Sequence, residues 1–289
     1  MRLIVDSGST KADWVLCNED EMVSSFNTIG FNPYFMNSSD VVAYLNQRQD
    51  LCEIATSIRE IFFYGAGCSD PHMNNIIKSA LSDFFLGAQV TVDHDLHAAA
   101  FALYSGNPVI ACILGTGSNS CFYDGCSFRE EAPALGFILG DEASGSFFGK
   151  YLIRDYQYNR MPLDLRRDFE THFETRWSEI VSQVYQSSRA NVRLASYFPF
   201  AVNHSNHPYI LNLIETGFNL FLDYHVLCYP EATSRQAEVS CIGSVGYHFK
   251  PLLSKLIEEK GLRLGKIIQK PIQSLVLHHS NMKKNALHE

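Results

Sequence analysis

Leu3-Ile4-Val5-Asp6-Ser7-Gly8-Ser9-Thr10-Lys11-Ala12-Asp13-Trp14-Val15-Leu16 opens the chain with an apolar run, a turn of glycine and hydroxyl residues, and a second β-prone run that the polar Asn18-Glu19-Asp20 closes. The arrangement returns about a hundred residues later as Val109-Ile110-Ala111-Cys112-Ile113-Leu114-Gly115-Thr116-Gly117-Ser118-Asn119-Ser120-Cys121-Phe122-Tyr123, closed by the turn dipeptide Asp124-Gly125. Each copy reads as a β-hairpin with a small-residue tip. Such a repeat points to two similar lobes facing one another.

Between the copies the pattern is βαβ. Ile61-Phe62-Phe63-Tyr64 reads as a short strand ending at Gly65-Ala66-Gly67. Asp70-Pro71 then opens a helix, with Asp as N-cap and Pro in the first turn. Ile76, Ile77, Ala80, Leu81, Phe84 and Phe85 keep helical spacing until Gly87. Val90-Thr91-Val92 is the next strand, running into Asp93-His94-Asp95 and a helix through Leu103. After the second hairpin, Gly136-Phe137-Ile138-Leu139-Gly140-Asp141-Glu142-Ala143-Ser144-Gly145 leads into a helix from about Gly145 to Arg154, and Met161 to Tyr229 is mostly helical in pattern. Val239 to Gly246 is a strand, a glycine turn and a helix start, and Lys266-Ile267-Ile268 is a late strand. The tail from Asn281 reads as frayed. The domain border falls near Ser105 to Val109, giving an N-terminal lobe over 1–107 and a C-terminal lobe with a helical insertion over 108–289.

The chain has 289 residues, 46% hydrophobic and 19% charged, with a formal charge of -8. At roughly 100–200 residues per domain this allows two domains with real cores. An acidic balance argues against broad nucleic-acid or anionic-membrane binding. No apolar run reaches the ~18 residues of a membrane span, and Asp6 falls where a signal h-region would lie, so a cytoplasmic protein is expected. The eight cysteines are scattered without a CxxC or zinc-finger spacing and read as reduced, mostly buried thiols.

A Gly/Ser/Thr tip offers backbone N–H groups with little side-chain bulk, which suits phosphate oxygens. Ser7, Gly8, Ser9, Thr10 and Lys11 are the candidates in the first hairpin, with Lys11 adding a positive charge. Asp6, at the strand end, suits a hydrated Mg²⁺ near those phosphates. Gly115, Thr116, Gly117 and Ser118 offer the same chemistry in the second copy. Gly243-Ser244, after a strand and at a helix start, suits a nucleotide base or ribose.

These three pieces, DSGSTKAD (6–13), ILGTGSNS (113–120) and CIGSVG (241–246), resemble the two phosphate motifs and the adenosine motif of the acetate/sugar kinase, heat-shock chaperone and actin superfamily. With GxxxGDEAS over Gly136 to Ser144, the chain looks most like the N-acetylglucosamine kinase branch of the BadF/BadG/BcrA/BcrD ATPase family, from Leu3 to about Leu262. The resemblance implies an α/β fold of two ribonuclease-H-like (actin-like ATPase) lobes with mixed sheets and a nucleotide cleft between them. It implies ATP and Mg²⁺ as cofactors, a small-molecule sugar as substrate, closure of the lobes on binding it, and a homodimer as the assembly the superfamily allows. The activity implied is phosphoryl transfer from ATP to a hydroxyl of an N-acetylated amino sugar such as N-acetylglucosamine.

Residue by residue, the resemblance places the general base at Asp95, with Asp93 as competitor; a carboxylate there accepts the proton of the attacking hydroxyl. Both Asp95 and Asp141 also suit helix N-caps. Sugar contacts fall to Asn32, Asp95, Leu135, Gly136 and Asp141. One departure stands out: animal sugar kinases carry Gly-Trp-Gly where this chain has Ala134-Leu135-Gly136, so an aromatic stacking face is missing there. Two alternatives remain open. One is an ATPase that activates a 2-hydroxyacyl-CoA dehydratase through an iron–sulfur cluster, for which Cys121 and Cys126 are the ligands to propose, although the family's cysteine segments are absent. The other is a nucleotide-dependent sensor without catalysis, against which the retained Asp6, Asp95 and Asp141 argue. The cysteine-rich zinc motif of ROK-type kinases is not found. His94 and His97 read as surface or capping residues, His278-His279 as a solvated strand end, and Phe147, Phe148, Phe218 and Phe221 as core.

Overall fold

The computed structural model describes residues 1–18 and 21–286, and the side chains up to Asn281. The Glu19-Asp20 close of the first hairpin and the last three residues of the tail lie outside the described residues. The chain divides into two compact units, Met1–Ala102 with the segment from Pro271 onward, and Leu103–Lys270.

The first unit carries β1 (Arg2–Ser7), β2 (Lys11–Asn18), β3 (Glu21–Ile29), β4 (Glu60–Gly65) and β5 (Gln89–His94). They form one sheet in the order β3-β2-β1-β4-β5. β1 pairs antiparallel with β2 and parallel with β4, which pairs parallel with β5. Alternation along β1 sends Leu3, Val5 and Ser7 to one face and Arg2, Ile4 and Asp6 to the other. The first face packs on the Ser38–Asn46 and Pro71–Phe84 helices around Trp14, which is fully buried. The Trp14 ring stacks on Phe26 at 5.7 Å and meets Phe31 edge-on at 6.0 Å, while its Nε1–H donates to Thr28 Oγ1 at 2.8 Å. Burying an indole of ~200 Å² is worth roughly 5 kcal/mol. Asp70 caps the Pro71–Phe84 helix by accepting from the amides of His72 and Met73, as its sequence predicts.

The second unit carries β6 (Val109–Leu114), β7 (Ser118–Tyr123), β8 (Phe128–Arg129), β9 (Glu238–Ile242) and β10 (Arg263–Ile268). Their order is β8-β7-β6-β9-β10. This repeats the first sheet strand for strand, with β6–β7 antiparallel and β6–β9 and β9–β10 parallel. The stretch from Met161 to Tyr229 is helical, including Leu163–His172, Phe198–Asn203 and Pro208–Phe221. Its aromatic residues build the core of this unit, in which Phe147, Phe148, Phe218 and Phe221 are all buried.

Three expectations about the end of the chain are corrected. The last helix, Ile272–Ala286, is grouped with the first unit, against β1 and β2, so the second unit does not extend to 289. His278-His279 is not a solvated strand end. His279 sits inside that helix, 6% exposed, stacked on Phe62 at 4.1 Å and hydrogen-bonded through Nε2 to the Tyr64 hydroxyl at 2.9 Å. The helix forms because Ile272, Leu275 and His279 make a stripe at helical spacing, and β1, β2 and β4 supply the face that covers it. The run Asn281–Ala286, expected to fray, continues the same helix.

Candidate functional site

In the first unit the tip between β1 and β2 is closed by the Gly8 amide donating to the Lys11 carbonyl at 3.0 Å. That donor closes the turn. Gly30 packs directly behind the tip, and a Cβ on it would stand 1.9 Å from the Gly8 carbonyl oxygen. Only glycine fits, and the Gly30 amide then donates to the Thr10 carbonyl at 3.1 Å. The Ser7 side chain is fully buried and its Oγ accepts from the Phe31 amide at 2.9 Å, so this hydroxyl latches the loop after β3 to the hairpin. Asn32 is likewise nearly buried. Its Nδ2 donates to Ser9 Oγ at 3.1 Å and its Oδ1 accepts from the Tyr34 amide at 3.0 Å. The structure thus brings Asn32 and Ser9 together. The Lys11 ammonium lies 3.4 Å from Asp13 Oδ1.

Register places Asp13, Asp6, Tyr64 and Asp93 in one row across β2, β1, β4 and β5. Residues paired this way share a face of the sheet. At the end of the row the chain turns from β5 into the Asp95–Leu103 helix. Asp93 Oδ1 meets His97 Nδ1 at 2.9 Å and also accepts from the His94 amide at 2.8 Å. Burial alone would raise the Asp93 carboxyl, but these bonds hold it below its ordinary value. Asp95, the first residue of the helix, has His94 Nε2 at 3.3 Å from its Oδ1. Burial pushes the Asp95 carboxyl above the ordinary range, against the pull of His94 and the helix amides. The two acids are therefore unlike: Asp93 is held ionised by His97, and Asp95 is the more basic. Cys68, buried beneath Gly65, has its thiol pushed up to about 12 by burial and by the charges of Asp95 and Asp93.

In the second unit the tip closes by the Gly115 amide donating to the Gly117 carbonyl at 3.0 Å. Gly243 packs behind it with φ 124, and a Cβ there would stand 2.2 Å from the Leu114 carbonyl oxygen. Ser244 begins the short Ser244–His248 helix. The first turn of the Gly145–Gln157 helix binds the same tip: the Gly145 amide donates to the Gly115 carbonyl at 2.8 Å and the Ser146 amide to the Thr116 carbonyl at 3.1 Å. Asp141 completes the set, with Oδ1 accepting from the Ser118 amide at 3.3 Å. The Ser118 hydroxyl is buried without a hydrogen-bond partner. Asp141 does not cap the following helix. Ser144 does, accepting from the Phe147 amide at 3.1 Å, which leaves the Asp141 carboxylate for the hairpin. Burial, together with the neighbouring Glu142 charge, raises the Asp141 carboxyl; the Ser118 amide, Lys150 and His225 oppose the rise. Leu135 is 55% exposed just ahead of Gly136, which has φ 70.

Four residues of this neighbourhood escape sequence reading. Gly30 stands beside the Asn32 motif and signals itself only as an isolated glycine after a strand. Lys150, whose Nζ donates to the Phe137 carbonyl at 2.8 Å, and His225, whose Nε2 lies 3.1 Å from Glu142 Oε2, come from helices that carry no motif. Cys68 looks like any core thiol. The cysteines proposed for a cluster diverge in setting: Cys121 is fully buried in β7, and Cys126 is exposed in the turn after it. No disulfide links the described residues. Among them, no helix is long and apolar enough to cross a membrane.

No protein-family model and no curated protein sequence matches the chain. Solved structures do. A Porphyromonas gingivalis protein provisionally named an N-acetylglucosamine kinase is 35% identical over 97% of this chain and 99% of its own, with a TM-score of 0.90. The chain belongs to this N-acetylglucosamine kinase-like family. A Chromobacterium violaceum protein provisionally given the same name matches at 17% identity and a TM-score of 0.74 over 96% of this chain and 98% of its own. The second match speaks for the fold. The N-acetylglucosamine kinase-like family therefore accounts for the repeated sheet order and for the two-lobed α/β architecture expected from the hairpins.

Proposed function

We propose that this protein is an ATP-dependent sugar kinase that transfers the γ-phosphoryl group of ATP to a hydroxyl of an N-acetylated amino sugar, N-acetylglucosamine in the first instance. The observation that carries the reading is the hydrogen bond from the Ser118 amide to the Asp141 carboxylate, which joins a sugar-recognition acid to a phosphate hairpin inside one unit. Full-length likeness to a protein provisionally named for that activity supports it.

The hydroxyl oxygen of the sugar attacks the γ-phosphorus, its proton passes to the Asp95 carboxylate, and the bond from phosphorus to the β,γ-bridging oxygen breaks to release ADP. Raised basicity at Asp95 favours the proton transfer. Asn32 and Asp141 bind sugar hydroxyls, since the amide both donates and accepts and the carboxylate accepts from the hydroxyl protons. Each hairpin offers a small-residue tip that suits phosphate oxygens, and Gly243-Ser244 serves the adenosine. Asp6 and Asp13 are cross-strand partners on one face at the first hairpin's root, and a carboxylate there suits a Mg²⁺ ion, which keeps its waters and takes one or two carboxylates beside substrate phosphates. Such an ion neutralises charge developing on the phosphates. Asp6 would hold it through those waters.

An ADP-release screen across N-acetyl sugars, free amino sugars and plain hexoses tests the proposal. Turnover with N-acetylglucosamine above the hexoses is expected. Release of ADP independent of every sugar, or a plain hexose preferred, overturns the substrate assignment.

A further inference from the structure

The loop that carries Asp141 is held in an uncommon backbone shape. Asp141 has φ 56 and Ala143 has φ 59, two left-handed residues within three positions and neither of them glycine. Such a backbone is strained for any residue with a Cβ, and persists only where its surroundings over-determine it. Glu142, between them, has its side chain turned toward His225, with 3.1 Å between Oε2 and Nε2. Both side chains are well covered, at 16% and 6% exposed. The imidazole stacks on Phe221 at 4.9 Å and 14°, and its Nδ1 is buried without a partner. His225 lies in a π-helical turn, in which the Leu227 amide reaches back to the Leu222 carbonyl at 2.9 Å. Such turns insert one residue and re-aim a side chain. The His225 carbonyl also accepts from Ser120 Oγ at 2.6 Å, so the turn is tied to β7 as well.

We propose that His225 is a positioning residue for the sugar-binding loop: by holding Glu142 it fixes the left-handed Asp141 and Ala143 and keeps the Asp141 carboxylate on the Ser118 amide of the second hairpin. The inference rests on the sugar-kinase reading for its effect on turnover, though the clamp itself is a property of the fold. His225 is the residue that holds the Glu142 carboxylate, at 3.1 Å. Without that bond Glu142 loses its partner beside a second carboxylate, Asp141, that the Ser118 amide and Lys150 still hold, and the loop gains a reason to rearrange.

Four variants test it. His225→Phe keeps the stack on Phe221 and removes the bond; His225→Gln restores a donor. Glu142→Ala removes the bond from the other side; Glu142→Gln keeps an acceptor. His225→Phe and Glu142→Ala should each raise the sugar KM by ~10–100-fold, with kcat and the ATP KM within a few-fold of wild type. Each conservative variant should recover part of that loss, and combining the two deletions should add little to either. A sugar KM within twofold of wild type in both deletions, or equal losses in sugar KM, ATP KM and kcat, overturns the proposal. If His225→Phe fails to fold, the Glu142→Ala and Glu142→Gln pair decides alone. Amide exchange reads the clamp without any sugar: His225→Phe should speed exchange at 115–118 and 140–146 and leave 8–11 unchanged. A wild-type protein that phosphorylates no sugar removes the functional reading while this exchange contrast still stands or falls on its own.

Discussion

The two hairpins share a topology and differ in what stands at the root and what stands behind. Ser7 pairs with Ala12 across a tip of Gly8-Ser9-Thr10-Lys11, whereas Leu114 pairs with Ser118 across the shorter Gly115-Thr116-Gly117. One step down, the first hairpin sets Asp6 against Asp13 and the second sets Ile113 against Asn119. The first root is thus acidic and the second is not. The bracing differs in turn. The first tip is held by the segment that follows its own third strand, through Gly30, Phe31 and Asn32. The second is held by a loop from further along the chain, through Asp141, Gly145 and Ser146. Under the proposed function this repeated frame divides its work: the base and the metal-holding carboxylate fall in the first unit, and the sugar-binding acid, bonded to the Ser118 amide, falls in the second.

The sharpest way to break that division is to delete one acid from each unit. Asp95→Ala should lower kcat by ~10²–10⁴-fold and leave ATP affinity nearly unchanged, because it removes the proton acceptor. Asp141→Asn should instead raise the sugar KM, by about 10–100-fold, because it weakens hydrogen bonds to the sugar. Steady-state kinetics with both substrates varied separates the two. Near-full turnover in Asp95→Ala removes its role, and identical kinetic signatures for the two variants erase the division between the units.

A smaller effect distinguishes the bracing glycines. Gly30→Ala places a methyl against the Gly8 carbonyl and should cost about 2–4 kcal/mol as the tip shifts. Gly243→Ala meets the Leu114 carbonyl and also strains a backbone at φ 124, so it should cost more. Denaturant unfolding of the two variants measures both. A Gly243→Ala protein as stable as wild type would show that the second tip is not packed as described.

What could be read in advance follows from the range of each interaction. The hairpins, the capped helix at Asp70-Pro71 and the strand entering Asp95 are local patterns, and turn chemistry and periodicity carry them. The repeat pointed to two similar lobes, and the two sheets do share one strand order. The partners of Asp141 and Glu142 were hidden, since Ser118 and His225 meet them across 23 and 83 positions. Asp141 itself fitted a helix N-cap equally well by spacing, and only Ser144 taking that place resolves it. His278-His279 misled for the same reason. Polar residues near a chain end look solvated until the sheet that covers them is known.

The smallest effect concerns that histidine pair and its response to acid. In the first unit, burial, then the neighbouring His278 and Arg2, lower the His279 imidazole to about 4. Burial alone lowers His278. The folded value lies below the ordinary ~6.5, so the unfolded chain binds the proton more readily. Stability from this group is complete above ~6.5 and is lost as pH falls toward 4, amounting to about 2 kcal/mol between pH 7 and pH 5. Tyr64, stacked Phe62 and Phe101, and the Asp93–His97 pair line this neighbourhood, and Tyr64 is the hydroxyl bonded to His279. In the second unit the buried histidine faces a carboxylate, Glu142, instead. His279→Gln keeps a partner for Tyr64 and does not titrate. The chain has two tryptophans, and Trp14 belongs to the first unit's core, so a Trp177→Phe background makes its emission a reporter of that unit. Urea unfolding followed through Trp14 should show the wild-type midpoint dropping further from pH 7 to pH 5 than that of His279→Gln. Equal drops would mean that the last helix is not held by a neutral histidine.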